Sequence, residues 1–153
     1  MVIELVRIQK VDKGTRLADK LLNFVENFSW LDVKEHIVRV IKNWEFKEWE
    51  TPFVAMANGQ IVGMVTIMKS DYYLLPEIYP WISTLFVSED YRGNKISGKL
   101  IDFANQYAKD TGFGKTYIPT EYIGLYEKYG YCYVKDIVNY GNGIDRLYVK
   151  ELK

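Results

Sequence analysis

The sequence is poor in the residues that bind metals and form disulfides, with one cysteine and one histidine among 153 residues. A lone Cys132 excludes an internal disulfide and a multi-cysteine metal site. A lone His36 argues against a histidine-rich metal centre and against an ordinary Ser-His-Asp triad. We therefore expect no metal. We also expect Cys132 to be a buried small hydrophobic residue in a strand, and His36 to lie on the surface of an amphipathic helix.

An excess of charge is also absent, because 20 basic and 20 acidic side chains cancel to a formal net charge of zero. A general nucleic-acid binder uses a basic face to displace counterions from phosphates. A polybasic protein of the membrane surface needs a similar excess. We therefore expect neither nucleic acid nor a membrane as a partner.

Long apolar runs are missing as well. No stretch approaches the roughly 20 residues that span a bilayer, and the first residues lack the pattern of a signal peptide. The hydrophobic share of 48% and the charged share of 26% are typical of a globular protein. The length predicts one domain over residues 1–153, and we expect it to be cytoplasmic.

The spacing of the apolar residues predicts an α/β protein. Asn58-Gly59 predicts a hairpin turn, since both residues tolerate positive φ. Residues 71–80, with two prolines and three tyrosines, predict a long loop. The predicted order is β-α-α-β-β-β-α-β-α-β-β. The first half consists of strand 2–8, helix 15–28, a helix that begins at Ser29 and Asp32 and includes Trp44, and strands 53–57, 61–68 and 81–87. The second half consists of a helix from Ile96 to the stop at Gly112, strand 115–118, a short helix capped by Thr120 and closed by Gly130, and strands 131–138 and 144–149.

The chemistry is concentrated in residues 89–99, a polar turn between a predicted strand and a predicted helix. The unpaired amides of a first helical turn and the helix dipole attract anions, and small residues let a ligand approach the backbone. The same pattern also fits a helix N-terminus with ordinary surface lysines, so this segment alone leaves both interpretations open. Its small and cationic residues are Arg92, Gly93, Lys95, Ser97, Gly98 and Lys99.

Two segments together resemble the GCN5-related N-acetyltransferase (GNAT) family. Residues 85–100 (LFVSEDYRGNKISGKL) are similar to its acetyl-CoA strand, pyrophosphate loop and following helix, and residues 124–131 (GLYEKYGY) are similar to its second signature. The resemblance implies a mixed, mostly antiparallel central sheet flanked by helices. It also implies that the cosubstrate acetyl-CoA is bound by Leu85, Phe86, Val87, Arg92, Gly93, Asn94, Lys95, Ile96, Ser97, Gly98 and Lys99.

The loop departs from the family pattern Arg/Gln-x-x-Gly-x-Gly/Ala at both glycines, where Lys95 and Ser97 stand. Lys95 must therefore adopt the loop conformation with a Cβ, and its ammonium group can meet phosphate directly. Pro119-Thr120 replaces the asparagine that the family often has before the second signature helix. These departures keep open a non-catalytic CoA-binding or regulatory module of the same fold.

The resemblance implies acetyl transfer to a primary amine by direct attack in a ternary complex. Backbone groups around Phe86 and Val87 would polarise the thioester carbonyl. Tyr126 stands where the family places its general acid, which protonates the departing thiolate; a core aromatic is the alternative. No base stands out, and Asp71 or Glu77 in the loop before the cofactor strand is the candidate, with Glu121 as a further carboxylate.

Aromatic residues are the one class in excess, at 16% with 13 tyrosines. In the resembling family, residues 44–50 border the acceptor cleft, and the opposite wall would hold Tyr72, Tyr73, Glu77 and Tyr79. Aromatic faces beside carboxylates suit a cationic amine. Packing aromatics, a homodimer surface, or an interaction protein that uses the aromatic surface without any cofactor remain alternatives.

Overall fold

The structure is a computed structural model that describes residues 5–29, 31–71, 73–93, 95–139 and 141–153. It confirms the predicted order of elements, with 3₁₀ helices at Glu89–Tyr91 and Tyr126–Tyr129, the latter replacing the last predicted α-helix. The elements are β1 (Arg7–Lys10), α1 (Arg16–Glu26), α2 (Leu31–Lys42), β2 (Thr51–Ala57), β3 (Gln60–Met68), β4 (Trp81–Val87), α3 (Ile96–Thr111), β5 (Lys115–Thr120), β6 (Cys132–Val138) and β7 (Ile144–Glu151).

The strands form one mixed sheet in the order β1-β2-β3-β4-β5-β7-β6. Neighbouring strands run antiparallel except β4 and β5, which are parallel. The predicted hairpin joins β2 to β3, and Asn58 and Gly59 have φ values of 52° and 74°. Positive φ at both positions is the conformation for which Asn-Gly is favoured. The sheet is therefore mostly antiparallel, as the resemblance implies.

Apolar side chains cover both faces of β2 and β3. Phe53 and Ala55 pack with the buried face of α3, whereas Val54 and Met64 pack with α1 and α2. Successive strand residues point to opposite faces, so a run buried on both sides belongs to a central strand. The helices are held at their ends by local contacts: Thr15 Oγ1 accepts a hydrogen bond from the Ala18 amide at 3.2 Å, and Gly112 ends α3 with a φ of 109°.

Two of the predicted boundaries are wrong. The first strand is predicted over residues 2–8, but pairing with β2 covers Arg7–Lys10, so the strand excludes residues 5 and 6 and extends two residues beyond Ile8; residues 2–4 of that prediction lie outside the described residues. Trp44 was assigned to the second helix, but α2 ends at Lys42 and Trp44 has a φ of 48°. Its ring packs against Phe46 in the segment that follows.

The C-terminal third differs from expectation at two residues. Thr120 does not cap a helix: it ends β5 opposite Arg146, and its Oγ1 accepts a hydrogen bond from the Tyr122 amide at 3.0 Å. Cys132 is exposed rather than buried, because β6 is the edge strand of the sheet. Among the helices of the described residues, none is long and apolar enough to cross a membrane.

Candidate functional site

A cleft opens where β4 and β5 separate. The two strands pair only at Trp81 and Tyr117, whose amide donates to the Pro80 carbonyl at 3.0 Å. Beyond this point the described strands diverge, and the edge of β4 that faces β5 is available to an extended ligand. The resulting space, which we call the β4–β5 cleft, has a volume of about 730 Å³.

A β-bulge interrupts β4 at the middle of this cleft. Met64 pairs with Phe86 and Thr66 with Ser83, so Thr84 and Leu85 oppose the single residue Val65. Thr84 has a φ of 50°, which is unusual for a β-branched residue. Bulges re-aim the backbone, and such strain accumulates at functional sites. The bulge therefore marks the part of β4 where chemistry is expected.

One end of the β4–β5 cleft is the loop before α3. The Arg92 Nε donates to the Val87 carbonyl at 2.9 Å, and its guanidinium lies 5.5 Å from the centre of the Phe86 ring. Gly93 has a φ of 84°, and Lys95 adopts the left-handed conformation with φ 62° and ψ 20°. α3 begins directly after this loop, and the unpaired amides of a first helical turn are donors suited to an anion.

The residues predicted to bind the cosubstrate occupy three kinds of position. Ile96 is buried in the core, so only its backbone groups are available to a ligand, whereas Leu85 is half-buried, packs against the core and also lines the β4–β5 cleft. Phe86, Val87, Arg92 and Ser97 line the β4–β5 cleft. Lys95 and Lys99 are exposed, Gly98 is buried, and Asn94 lies outside the described residues.

Tyr126 lines the same cleft from the 3₁₀ helix opposite β4. It is half-buried, with ring centroids 6.4 Å away at both Tyr129 and Tyr131. Burial, with smaller contributions from Tyr129 and Tyr122, raises the pKa of Tyr126 to about 12. The phenol is therefore protonated at neutral pH and can donate a hydrogen bond into the cleft.

A second cleft lies between α2, the segment 44–50 and the ends of β3 and β4. This α2 cleft has a volume of about 950 Å³. The two clefts share Asp71, Ser83 and Thr84, which places their junction at the bulge of β4. The Asp71 carboxylate accepts a hydrogen bond from the Ser83 hydroxyl. Glu77, the other candidate base, is exposed and lines neither cleft.

Two carboxylates of the α2 cleft are used within the protein. Glu45 pairs with Arg39 at 3.4 Å, and the two oxygens of Glu50 accept hydrogen bonds from the amides of Lys47 and Lys69 at 3.0 and 2.8 Å. These contacts fix the segment 44–50 against the end of β3. No group of three or more His, Cys, Asp or Glu side chains that could hold a metal ion occurs in the described part of the chain.

His36 lines the α2 cleft and is half-buried on α2. Burial, and next Arg39, hold the pKa of His36 below its usual range. Arg39 Nη2 lies 3.2 Å from His36 Nδ1, and because a guanidinium only donates, Nδ1 is the acceptor. The neutral ring then carries its proton on Nε2, which makes it a donor and not a base.

The aromatic residues predicted as acceptor walls are divided between the clefts. Trp49 lines the α2 cleft and stacks on Tyr79 with ring centroids 6.3 Å apart, and Lys69 Nζ lies 5.6 Å from the Tyr79 ring centre. Tyr73 instead lines the β4–β5 cleft and stacks on Trp81. Tyr72 lies outside the described residues.

Asp145, which no sequence pattern singles out, also lines the β4–β5 cleft. Its Oδ2 accepts hydrogen bonds from the Tyr73 hydroxyl at 2.6 Å and from Asn139 Nδ2 at 3.1 Å. Burial, together with the hydrogen bond to Asp145, raises the pKa of Tyr73 well above its usual range. Asp145 follows a Gly-Asn-Gly turn, and no spacing in the sequence connects it to Tyr73, 72 residues away.

The geometry fits coenzyme A derivatives better than a compact anion. The β4–β5 cleft joins an anion-binding helix end to an unpaired strand edge, which suits a phosphate followed by an extended amide-containing arm. At its other end it meets the α2 cleft beside Asp71 and Ser83. Two substrates entering from the two clefts would therefore meet at the bulge.

Comparisons with known proteins agree with this geometry. The sequence matches the acetyltransferase (GNAT) family over residues 18–131. It is 28% identical over 121 residues to N-alpha-acetyltransferase 30 of Schizosaccharomyces pombe (strain 972 / ATCC 24843). This match covers 74% of this chain and 80% of that protein.

Solved structures share the fold at low identity. Aminoglycoside 6'-N-acetyltransferase complexed with coenzyme A superposes with a TM-score of 0.73 at 15% identity, over 96% of this chain and 97% of that one. A GNAT family acetyltransferase from Elizabethkingia anophelis with acetyl-CoA bound gives 0.64 at 20% identity, over 96% and 98%. The chain belongs to the acetyltransferase (GNAT) family and is an acetyl-CoA-dependent acyltransferase.

Proposed function

We propose that the protein transfers the acetyl group of acetyl-CoA to a primary amine by direct attack in a ternary complex. The observation that carries this proposal is the junction of the two clefts at the β4 bulge. A carboxylate, Asp71, lines both clefts there, and a protonated phenol, Tyr126, lines the β4–β5 cleft. Direct transfer needs both substrates bound side by side, and the junction provides that arrangement.

Acetyl-CoA binds in the β4–β5 cleft. The first amides of α3 and the loop that Arg92 ties to Val87 hold its pyrophosphate, with Lys95 and Lys99 as further cations. Backbone groups of β4 around Phe86 and Val87 pair with the pantetheine arm. Acetyl-CoA supplies an activated acyl carbon, and amides of the strand edge stabilise the charge that develops on its carbonyl oxygen.

Asp71 receives the proton of the acceptor amine. A primary amine has a reference pKa of ~10.4, so it enters mainly as an ammonium ion and must lose a proton to become a nucleophile. The Ser83 hydroxyl donates to the Asp71 carboxylate and fixes its orientation beside the bulge. The carboxylate takes the ammonium proton directly or through one water, and the free amine then adds to the thioester carbonyl carbon. The tetrahedral intermediate collapses as the carbon–sulfur bond breaks, sulfur takes a proton from Tyr126, and the second nitrogen proton is released to water, from which Tyr126 is reprotonated.

Tyr126 neutralises the sulfur as it leaves. Its pKa of about 12 lies above the ~8.5 of a thiol, so complete transfer from the resting phenol is uphill by about 5 kcal/mol. The Tyr126 phenol instead donates a hydrogen bond to sulfur while the carbon–sulfur bond breaks. No free phenolate then forms before negative charge has developed on sulfur. Tyr126 is therefore a catalytic donor whose proton is present throughout the physiological pH range.

The acceptor cleft is the α2 cleft, where Trp44, Trp49 and Asp71 provide two aromatic side chains and a carboxylate for a cationic amine. The names of two similar proteins suggest two acceptor classes to compare. One is an α-amine at a peptide N-terminus, and the other is the 6'-amine of an aminoglycoside.

Calorimetric titration with acetyl-CoA and with CoA is the first test, followed by a panel of peptides, aminoglycosides and small amines with detection of the released thiol. We expect binding of both nucleotides and thiol release with at least one amine class. Absence of binding at millimolar ligand would overturn the proposal. Binding without turnover for every class would favour a non-catalytic CoA-binding module.

A further inference from the structure

Gly98 lies in the first turn of α3 and is covered by the ring of Tyr129. A Cβ at position 98 would lie 2.9 Å from Tyr129 Cε1 and 3.6 Å from both Cδ1 and Cζ. The shortest of these distances is below the optimal separation of carbon atoms, ~3.5–4.0 Å, so the ring fits there only because residue 98 has no side chain. A helical glycine costs roughly 1 kcal/mol relative to alanine, and the close approach of Tyr129 gives that glycine a physical purpose.

The same ring contacts Tyr126, the general acid of the proposed function. The two ring centroids are 6.4 Å apart with an interplanar angle of 55°. Both residues belong to a 3₁₀ helix of four residues that has no side-chain N-cap hydrogen bond. A single helical turn is unstable by itself, so tertiary contacts have to set the position of Tyr126.

Contacts from β7 hold one side of this short helix. Lys150 Nζ donates to the Tyr129 carbonyl at 2.7 Å, and the Tyr148 hydroxyl donates to Glu127 Oε2 at 3.2 Å. The contact between Tyr129 and Gly98 holds the other side and connects it to α3. The contact between Tyr129 and Gly98 therefore connects the 3₁₀ helix that carries Tyr126 to the first turn of α3, which holds the pyrophosphate in the proposed function.

We propose that Gly98 is a positioning residue, which seats the ring of Tyr129 on α3 and thereby fixes Tyr126 in the β4–β5 cleft. The inference rests on the proposed function, in which Tyr126 donates to the departing sulfur. The amide of Gly98 stays in the predicted anion-binding turn, whereas the ring of Tyr129 occupies the space that a side chain at position 98 would fill. Residue 98 thus acts on turnover through Tyr126.

The variant Gly98→Ala tests this role. We expect kcat at saturating amine to fall about tenfold to a hundredfold, since a displacement near 1 Å has effects of that size. The Kd of acetyl-CoA should change by less than about threefold, because the amides of the turn remain. Tyr129→Leu removes the seated ring and should lower kcat to a similar extent, and Gly98→Ala in that background should cause little further loss, since both changes remove the same contact. Gly114→Ala is the matched control, because no atom lies within 4 Å of a Cβ there.

A Tyr126→Phe background separates positioning from general destabilisation. There Gly98→Ala should lower kcat by less than about twofold, since two changes that act through one group are not additive. An equal loss in both backgrounds would overturn the proposal, as would a wild-type kcat in Gly98→Ala or a weakened Kd with kcat intact. Thermal unfolding of each variant checks that it is folded.

Nuclear magnetic resonance of ring-labelled tyrosine tests whether Gly98 positions Tyr126, even if no amine is acetylated. The Tyr126 resonance is identified by its loss in Tyr126→Phe. Gly98→Ala should shift it, and Gly114→Ala should not; an unshifted Tyr126 resonance in Gly98→Ala would contradict the inference. Failure of the proposed function has a different appearance, namely a wild-type protein without turnover or a Tyr126→Phe variant with full turnover.

Discussion

The β4–β5 cleft and the α2 cleft meet at one bulge but are built in different ways. Residues of β4, of the end of β5 and of the first turn of α3 form about half of the lining of the first cleft, and the edge of β4 offers backbone groups there. Residues of α2 and of the irregular segments 44–50 and 69–71 form most of the second.

This difference has a physical consequence for recognition. Backbone amides bind the same ligand groups whatever the neighbouring side chains are, so a cleft made of them tolerates wide sequence change. A cleft made of side chains changes its specificity with each substitution. The fold is shared with structures at 15–20% identity. Under the proposed function, in which the α2 cleft holds the acceptor, we expect the acceptor preference of this chain to depend on the side chains of that cleft.

The largest expected effect comes from Tyr126→Phe, which removes the acid from the β4–β5 cleft. We expect kcat to fall about a hundredfold or more at pH 7, with little change in the Kd of acetyl-CoA. Above about pH 8.5 a thiolate leaves without needing a proton, so the deficit should shrink as pH rises. Wild-type kcat should not decline through loss of this proton below pH 10, because burial raises the pKa of Tyr126 to about 12.

The pH profile of kcat, measured with detection of the released thiol, checks this expectation. Tyr133→Phe is the matched control, since its hydroxyl donates to Asp136 on the exposed edge strand. A Tyr126→Phe deficit that is constant with pH would argue that the ring packs and does not donate a proton.

The second effect concerns the junction of the clefts. Asp71→Asn keeps the shape of the side chain and removes the proton acceptor, so we expect kcat to fall about tenfold to a hundredfold. Glu77→Gln should leave kcat unchanged, because Glu77 is exposed and lines neither cleft. Steady-state kinetics with saturating acetyl-CoA measures both. A loss of kcat in Glu77→Gln as large as that in Asp71→Asn would argue that the base lies outside the junction of the clefts.

A third change should affect only the β4–β5 cleft. Arg92→Ala removes the hydrogen bond to the Val87 carbonyl and a cation beside the pyrophosphate position. We expect the Kd of acetyl-CoA to rise about tenfold, equivalent to ~1.4 kcal/mol, with the KM of the amine unchanged. Lys47→Ala removes a cation from the α2 cleft, so it should lower the KM of a cationic amine through weaker charge repulsion and leave the Kd of acetyl-CoA unchanged. Calorimetry and steady-state kinetics on both variants would show whether a change in one cleft alters the binding of the other cleft's substrate.

The two clefts also differ in how far the sequence predicts them. The order of elements and the span of β4 follow from local patterns, namely strand propensity and helix stops. The positive φ of Lys95 agrees with its position where the resembling family has glycine. Tyr126 was found through its signature, and its place in the β4–β5 cleft agrees with the role proposed for it.

The junction depends on contacts that are distant in the chain. Asp145 meets Tyr73 across 72 residues, and Asp71 meets Ser83 beside the bulge at Thr84. Tertiary pairing decides such contacts, so no window of sequence contains them. The exposed Cys132 has the same origin, since only the strand order shows that β6 lies at the edge.

Lys95 gives the smallest expected effect and the finest test of the backbone-built cleft. It holds a φ of 62°, where an L residue is disfavoured by about 1–2 kcal/mol, and it stands where the resembling family has glycine. Lys95→Gly relieves the backbone and removes the charge, whereas Lys95→Asn removes the charge but tolerates the same φ.

If the ammonium group contacts phosphate, both variants should weaken acetyl-CoA binding by about twofold to fivefold, and the loss should diminish at high salt because exposed charges are screened. Tighter binding by Lys95→Gly alone would show instead that the lysine holds the loop away from its best geometry. Calorimetric titrations at two salt concentrations distinguish the outcomes. Equal weakening would mean that a side-chain charge assists the backbone amides even in the cleft that regular elements build.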